Sequence, residues 1–144
     1  MHKDVLISIR GVQKVDQDED VIEITTLGKY AQKNGASFII YKESEATGFD
    51  GMTTTLKVEG DQKVTMTRRG SHRSSLIIEK NARHLCHYST DFGDLMVGVS
   101  ANQINTSMGK NGGDLYFKYT LDINSSLASE NEIYINIKEC KQDV

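Results

Sequence analysis

Leu115-Tyr116-Phe117-Lys118-Tyr119-Thr120-Leu121-Asp122-Ile123 sets five large apolar side chains in strict alternation with Tyr116, Lys118, Thr120 and Asp122. Successive side chains of a strand point to opposite faces, so this pattern buries one face and wets the other. The expected core side is Leu115, Phe117, Tyr119, Leu121 and Ile123, with Tyr116, Lys118 and Asp122 outside. The same period recurs from Val5 to Ile137, and the chain has no proline. Short polar turns between such segments point to an all-β fold, an antiparallel meander closed into a barrel of about 8 to 10 strands, because closure removes exposed edges.

Working outward, the first strand covers residues 4–15, with Val5, Ile7 and Ile9 on one face and Gly11 where the phase changes to Val12, a position that suggests a bulge. Residues 21–32 follow with Ile22, Ile24 and Thr26 inward and a bend at Gly28. Asn34-Gly35 closes a hairpin, since both residues tolerate positive φ. In residues 36–45 Phe38 and Ile40 share one side, Ile39 and Tyr41 the other. Met52, Thr54, Leu56 and Val58 alternate with Thr53, Thr55, Lys57 and Glu59, and Val64, Met66 and Arg68 share the next inward face. Segments 76–79, 82–90, 94–106, 114–125 and 131–139 complete about ten strands. A short helical turn fits only residues 125–132 or 103–109.

At 144 residues the chain is one domain, residues 1–144, able to bury about two-thirds of its unfolded surface. A net charge of -3 with both signs interspersed argues against nucleic acid as a partner. The two distant cysteines and the opening MHKDVLISIR, which has no signal-peptide pattern, imply a cytoplasmic protein with reduced thiols. No apolar run is long enough for a membrane-spanning helix.

The motifs of common catalysts are missing: there is no G-x-S-x-G elbow, no P-loop and no G-x-G-x-x-G, so no catalytic residue and no cofactor is assigned. His84 and Cys86 share a strand face at metal-ligand spacing, but no second pair completes a site, and no metal is expected. Glu43 and Glu45, at i and i+2, read as solvated edge charges. The segment Arg68-Arg69-Gly70-Ser71-His72-Arg73 is a candidate anion-binding loop through Arg69, His72 and Arg73. Arg68 continues the inward face of Val64 and Met66, so it lies inside the barrel or at its rim and needs an anionic partner, with Glu43 the first candidate.

Tyr88-Ser89-Thr90-Asp91-Phe92-Gly93-Asp94-Leu95 and the strand at residues 112–119 resemble the bacterial YwiB-like family of uncharacterised β-barrel proteins. Tyr41-Lys42-Glu43, Thr67-Arg68-Arg69-Gly70 and Leu27-Gly28-Lys29-Tyr30 fit the same pattern. The resemblance implies a calycin-like, lipocalin-type barrel of cytoplasmic bacterial origin, and it carries over no catalytic residue. A barrel of that kind suggests a small-molecule binding module, with Ile40, Met66, Phe117, Tyr119 and Leu121 as wall residues. Tyr41, Glu43, Arg68 and Tyr119 are the candidate ligand-binding set. The alternative is a non-catalytic interaction barrel with a filled core. Ile39, Ile77 and Tyr134 are the outer apolar residues expected to support a homodimer.

Overall fold

The computed structural model describes residues 2–90 and 93–140. Asp91 and Phe92, part of the string that carries the family resemblance, lie outside the described residues. Ten strands follow one another: β1 (Lys3–Val15), β2 (Asp18–Lys33), β3 (Ala36–Lys42), β4 (Thr53–Glu59), β5 (Lys63–Arg69), β6 (Arg73–Glu79), β7 (Ala82–Thr90), β8 (Gly93–Gly109), β9 (Gly112–Ile123) and β10 (Ser126–Glu139). The expected helical turn is displaced. Residues 103–109 and 126–132 pair as strand, and the one helical turn among the described residues is Glu45–Thr47, ended by Gly48 at φ 82, whose N–H bonds back to Glu45 O at 3.1 Å.

The strands form an up-and-down meander whose first and last members, β1 and β10, pair antiparallel and join the chain ends. The sheet runs from β6 at one edge through β1 and β10 to β7 at the other, and it curls until β6 and β7 meet, so the barrel is nearly closed. No ladder joins β6 to β7 among the described residues. Side chains bridge this seam instead: the Ile77 N–H donates to Cys86 Sγ at 3.4 Å, and the Ser89 N–H donates to Ser74 Oγ at 3.3 Å. Edge groups that would otherwise be unpaired thereby gain partners.

The register of β9 is as expected through Tyr119: Leu115, Phe117 and Tyr119 are buried and Leu121 packs against the core, while Lys118 and Asp122 lie on the other face. Ile123 departs from it, at 40% exposed. It pairs with Ser126 at the hairpin tip, next to Asn124 and Ser125 at positive φ, where the strand has run past the barrel wall. Ile22 is exposed for the same reason, since the β1–β2 hairpin also projects beyond the core. Ile39 and Tyr41 are the inward residues of β3. Ile39 therefore cannot support a dimer, and Ile40, expected as a wall residue, faces outward beside Leu27 and Cys140.

No bulge occurs at Gly11, because β1 stays in register with both neighbours. Val12 lies on the outer face and is buried there among Lys14, Lys118, Glu130 and Glu132, whose aliphatic stems cover it. The register shifts fall in β8, between Ala101 and Gln103, and in β10, between Leu127 and Ser129.

Tyr30, Phe117, Ile7, Ile39, Leu56, Ile78, Ile104 and Leu115 are each under 2% exposed. A lumen wide enough for a ligand would leave such walls accessible, so the interior is filled by its own side chains. Gly28 shows how tight the wall is: a Cβ there would fall on the Ile40 carbonyl oxygen and 2.5 Å from Ile7 Cδ1. Gly28→Ala is expected to lose about 1–3 kcal/mol through overpacking. A urea midpoint equal to wild type would show that this contact relaxes freely.

Candidate functional site

At one mouth of the barrel four directly opposed residues form an inward row across β3 to β6. Tyr41 faces Thr54, Thr54 faces Arg68, and Arg68 faces Ser74. Glu43 follows Tyr41 by two residues, which brings its side chain to the same face one step beyond the strand. Arg68 Nε approaches Glu43 Oε2 at 3.4 Å, and the Thr54 hydroxyl donates to the same oxygen. The Glu43 side chain is 1% exposed and that of Arg68 is 17% exposed. Glu43 is thus no solvated edge charge. Its neighbour Glu45 is exposed on the helical turn.

Tyr41 hydrogen-bonds to the same carboxylate, and its burial, reinforced by the negative charge of Glu43, drives its pKa well above the usual phenol value. Tyr119 stacks on Phe117 at 5.9 Å and reaches toward Arg68 from β9. Burial pushes its pKa up to about 12, against the opposing charge of Arg68. Both phenols therefore remain neutral donors at physiological pH.

The segment between β3 and β4 closes over this cluster. The Glu43 N–H donates to Met52 O at 2.8 Å and the Met52 N–H donates to Phe49 O at 3.0 Å, which folds the segment into a compact flap. Its Phe49 ring lies 4.0 Å from the Arg68 guanidinium carbon and covers the face of the cation. The β5–β6 turn nests against the flap at Gly70, where a Cβ would lie 3.0 Å from Met52 Cγ and 3.2 Å from Gly51 O. Only glycine fits that approach without a shift.

Arg68 opens on a cleft of about 510 Å3 beside the Ser74–Ser89 contact of the β6–β7 seam. Phe49, Asp50, Arg68, His72, Ser74, Tyr88 and Ser89 line it, so one exposed carboxylate stands among them. Among the described residues Arg68 donates a hydrogen bond through Nε, to Glu43, and its side chain, 17% exposed, is part of the cleft lining. An aromatic-backed guanidinium beside hydroxyls and an imidazole suits a planar or tetrahedral oxyanion, which the guanidinium fork binds bidentately.

Of the sequence-predicted set, Tyr41, Glu43, Arg68 and Tyr119 come together, with Arg68 alone lining the cleft and the others packed behind it. The candidate anion loop is divided between two faces. Arg69 and Arg73 oppose each other across the β5–β6 turn and are exposed, whereas His72 lines the cleft. Phe49, Ser74, Tyr88 and Ser89 join the site without a motif that marks them in the sequence. Thr54 carried a legible signal, a hydroxyl inside the apolar register of Met52, Leu56 and Val58. His84 pairs with Glu79 at 2.7 Å, and no group of three metal-ligating side chains occurs among the described residues. No helix is long and apolar enough to cross a membrane.

Comparison with known proteins places this barrel. The chain is 23% identical over 119 residues to the uncharacterized beta-barrel protein YwiB of Bacillus subtilis (strain 168), covering 83% of this chain and 82% of that protein. The crystal structure of ywiB protein from Bacillus subtilis superposes with a TM-score of 0.82 at 20% identity, covering 97% of this chain and 94% of that one. At that identity the match speaks for the fold alone. The family described as Domain of unknown function (DUF1934) matches residues 7–135, nearly the whole barrel, and the chain belongs to that family.

Proposed function

We propose that this barrel is a non-catalytic binding module for a small organic acid, a carboxylate or phosphate monoester, held at the mouth cleft rather than in the lumen. The observation that carries the reading is Arg68, held through Nε by Glu43, covered across one face by Phe49, and part of the cleft lining. A calycin-type lumen site has no room, because the interior is packed. Glu43 offsets the charge of Arg68, so recognition rests on the hydrogen-bonding fork more than on net potential. The reading places the protein in the reducing cytoplasm, where the unpaired Cys86 and Cys140 remain thiols.

Calorimetric titration with glucose 6-phosphate, citrate and octanoate tests it. One of these acids should bind with a single site. Arg68→Lys, which keeps the charge but loses the fork, should weaken that binding at least tenfold, about 1.4 kcal/mol, without unfolding the barrel. Failure of all three acids to bind, or equal affinity in the variant, would reject the proposal. The filled core and the exposed Leu85 and Met96 on the outer face of β7 and β8 support a second reading, an interaction barrel. Under that reading Arg68 is structural only.

A further inference from the structure

The outer face of β2, β1, β10, β9 and β8 carries two rows of side chains that cross the five strands in register. In the first, Glu23 faces Arg10, Arg10 faces Tyr134, Tyr134 faces Tyr116, and Tyr116 faces Asn105. In the second, the same pairing runs through Thr25, Ser8, Asn136, Asp114 and Ser107. The first row is tall and aromatic at its centre. The second is short and polar, and a furrow of about 830 Å3 lies alongside the aromatic ridge, its lining completed between the rows by Ile9, Ile24, Leu115 and Ile135. Four strand spacings of about 4.8 Å give it a length of roughly 19 Å.

We infer that this furrow binds a neutral oligosaccharide laid across the strands, at a site separate from the mouth cleft. The Tyr116 and Tyr134 rings sit 4.5 Å apart at 40°, and Tyr134 is 43% exposed, which offers an aromatic surface to the C–H face of a sugar ring. Planar polar groups flank that surface. Arg10 Nε lies 3.3 Å from Glu23 Oε1, with its guanidinium carbon 5.9 Å from the Tyr134 ring. Asn136 Nδ2 donates to Asp114 Oδ1 at 2.8 Å. Each pair leaves further donors and acceptors on its edges, the complement of adjacent hydroxyls. The two rows hold one cation, Arg10, against two carboxylates, Glu23 and Asp114, which turns away a phosphate backbone although the rings could stack bases.

Titration of the full chain with maltohexaose, cellohexaose and xylohexaose, and with the disaccharide of each, tests the inference. At least one hexaose should bind, more tightly than its disaccharide. Tyr134→Ala should weaken it tenfold or more at an unchanged urea midpoint, Ser8→Tyr should block the furrow and abolish it, and Arg68→Lys should leave it unaltered. The inference is overturned if no hexaose binds at millimolar concentration, or if Tyr134→Ala and Ser8→Tyr retain wild-type affinity. It is equally overturned if the Tyr134-dependent partner proves to be single-stranded oligonucleotide, or a second copy of the chain seen by sedimentation.

Discussion

Arg68→Met should destabilise the barrel by about 3–5 kcal/mol, because it leaves a carboxylate buried without its cation. Glu43 is 1% exposed, and its partners are Arg68 Nε and the hydroxyls of Thr54 and Tyr41. Two hydroxyls solvate the carboxylate but do not neutralise it. The double variant Arg68→Met with Glu43→Gln removes both charges and should recover most of the loss, since a whole buried pair contributes far less than either partner stranded alone. Urea unfolding of wild type, both single variants and the double variant gives the coupling. A loss below about 1 kcal/mol for Arg68→Met would mean that the hydroxyls suffice and that the guanidinium is not the structural counter-ion.

Phe117→Ala should cost a similar amount, about 3–5 kcal/mol, for a different reason. Phe117 is 0% exposed, is flanked by Ile104 on β8 and Ile133 on β10, and stacks on Tyr119. The loss combines the transfer of the ring with the cavity left among rigid neighbours that cannot collapse into it. For a domain whose total stability is of order 5–15 kcal/mol, that change alone approaches unfolding. A cost near 1 kcal/mol would show an interior loose enough to adapt, and would reopen the lumen as a ligand site.

Period-two alternation made the meander legible and turned Arg68 inward, and the need of an inward arginine for an anion pointed to Glu43. The meander and the inward Arg68 follow from a local rule, the pleat, applied to residues with no competing signal. The rule fails where the strand outlasts the core. Ile22 and Ile123 keep the phase but stand on projecting hairpins, and nothing in their own sequence marks the end of the wall. It is also blind where both faces are apolar: Phe38, Ile39, Ile40 and Tyr41 give no parity of their own, and only pairing to β2 and β4 sends Ile39 in and Ile40 out. Val12 escapes the rule because long charged side chains can bury an outer residue as thoroughly as a core does.

The site was half legible for the same reason. Arg68 and Tyr119 lie on strands whose phase could be read, whereas the face of Tyr41 and Glu43 is set by the pairing of β3. Phe49 sits in a segment shaped by Gly48, Gly51 and the Glu43 to Met52 hydrogen bond, and no periodicity points its ring at Arg68. Ser74 and Ser89 matter because β6 and β7 meet without a ladder, a consequence of how the whole barrel closes.

The most direct test of the account is amide and arginine side-chain NMR of the protein titrated with the acid that binds it. The predicted result is a set of shifts confined to the mouth, at Arg68 Nε, His72, Ser74, Tyr88 and Ser89, while the core amides of Ile7, Ile104 and Phe117 do not move. Shifts concentrated on those core amides, with Arg68 unmoved, would contradict the filled barrel and its mouth site together.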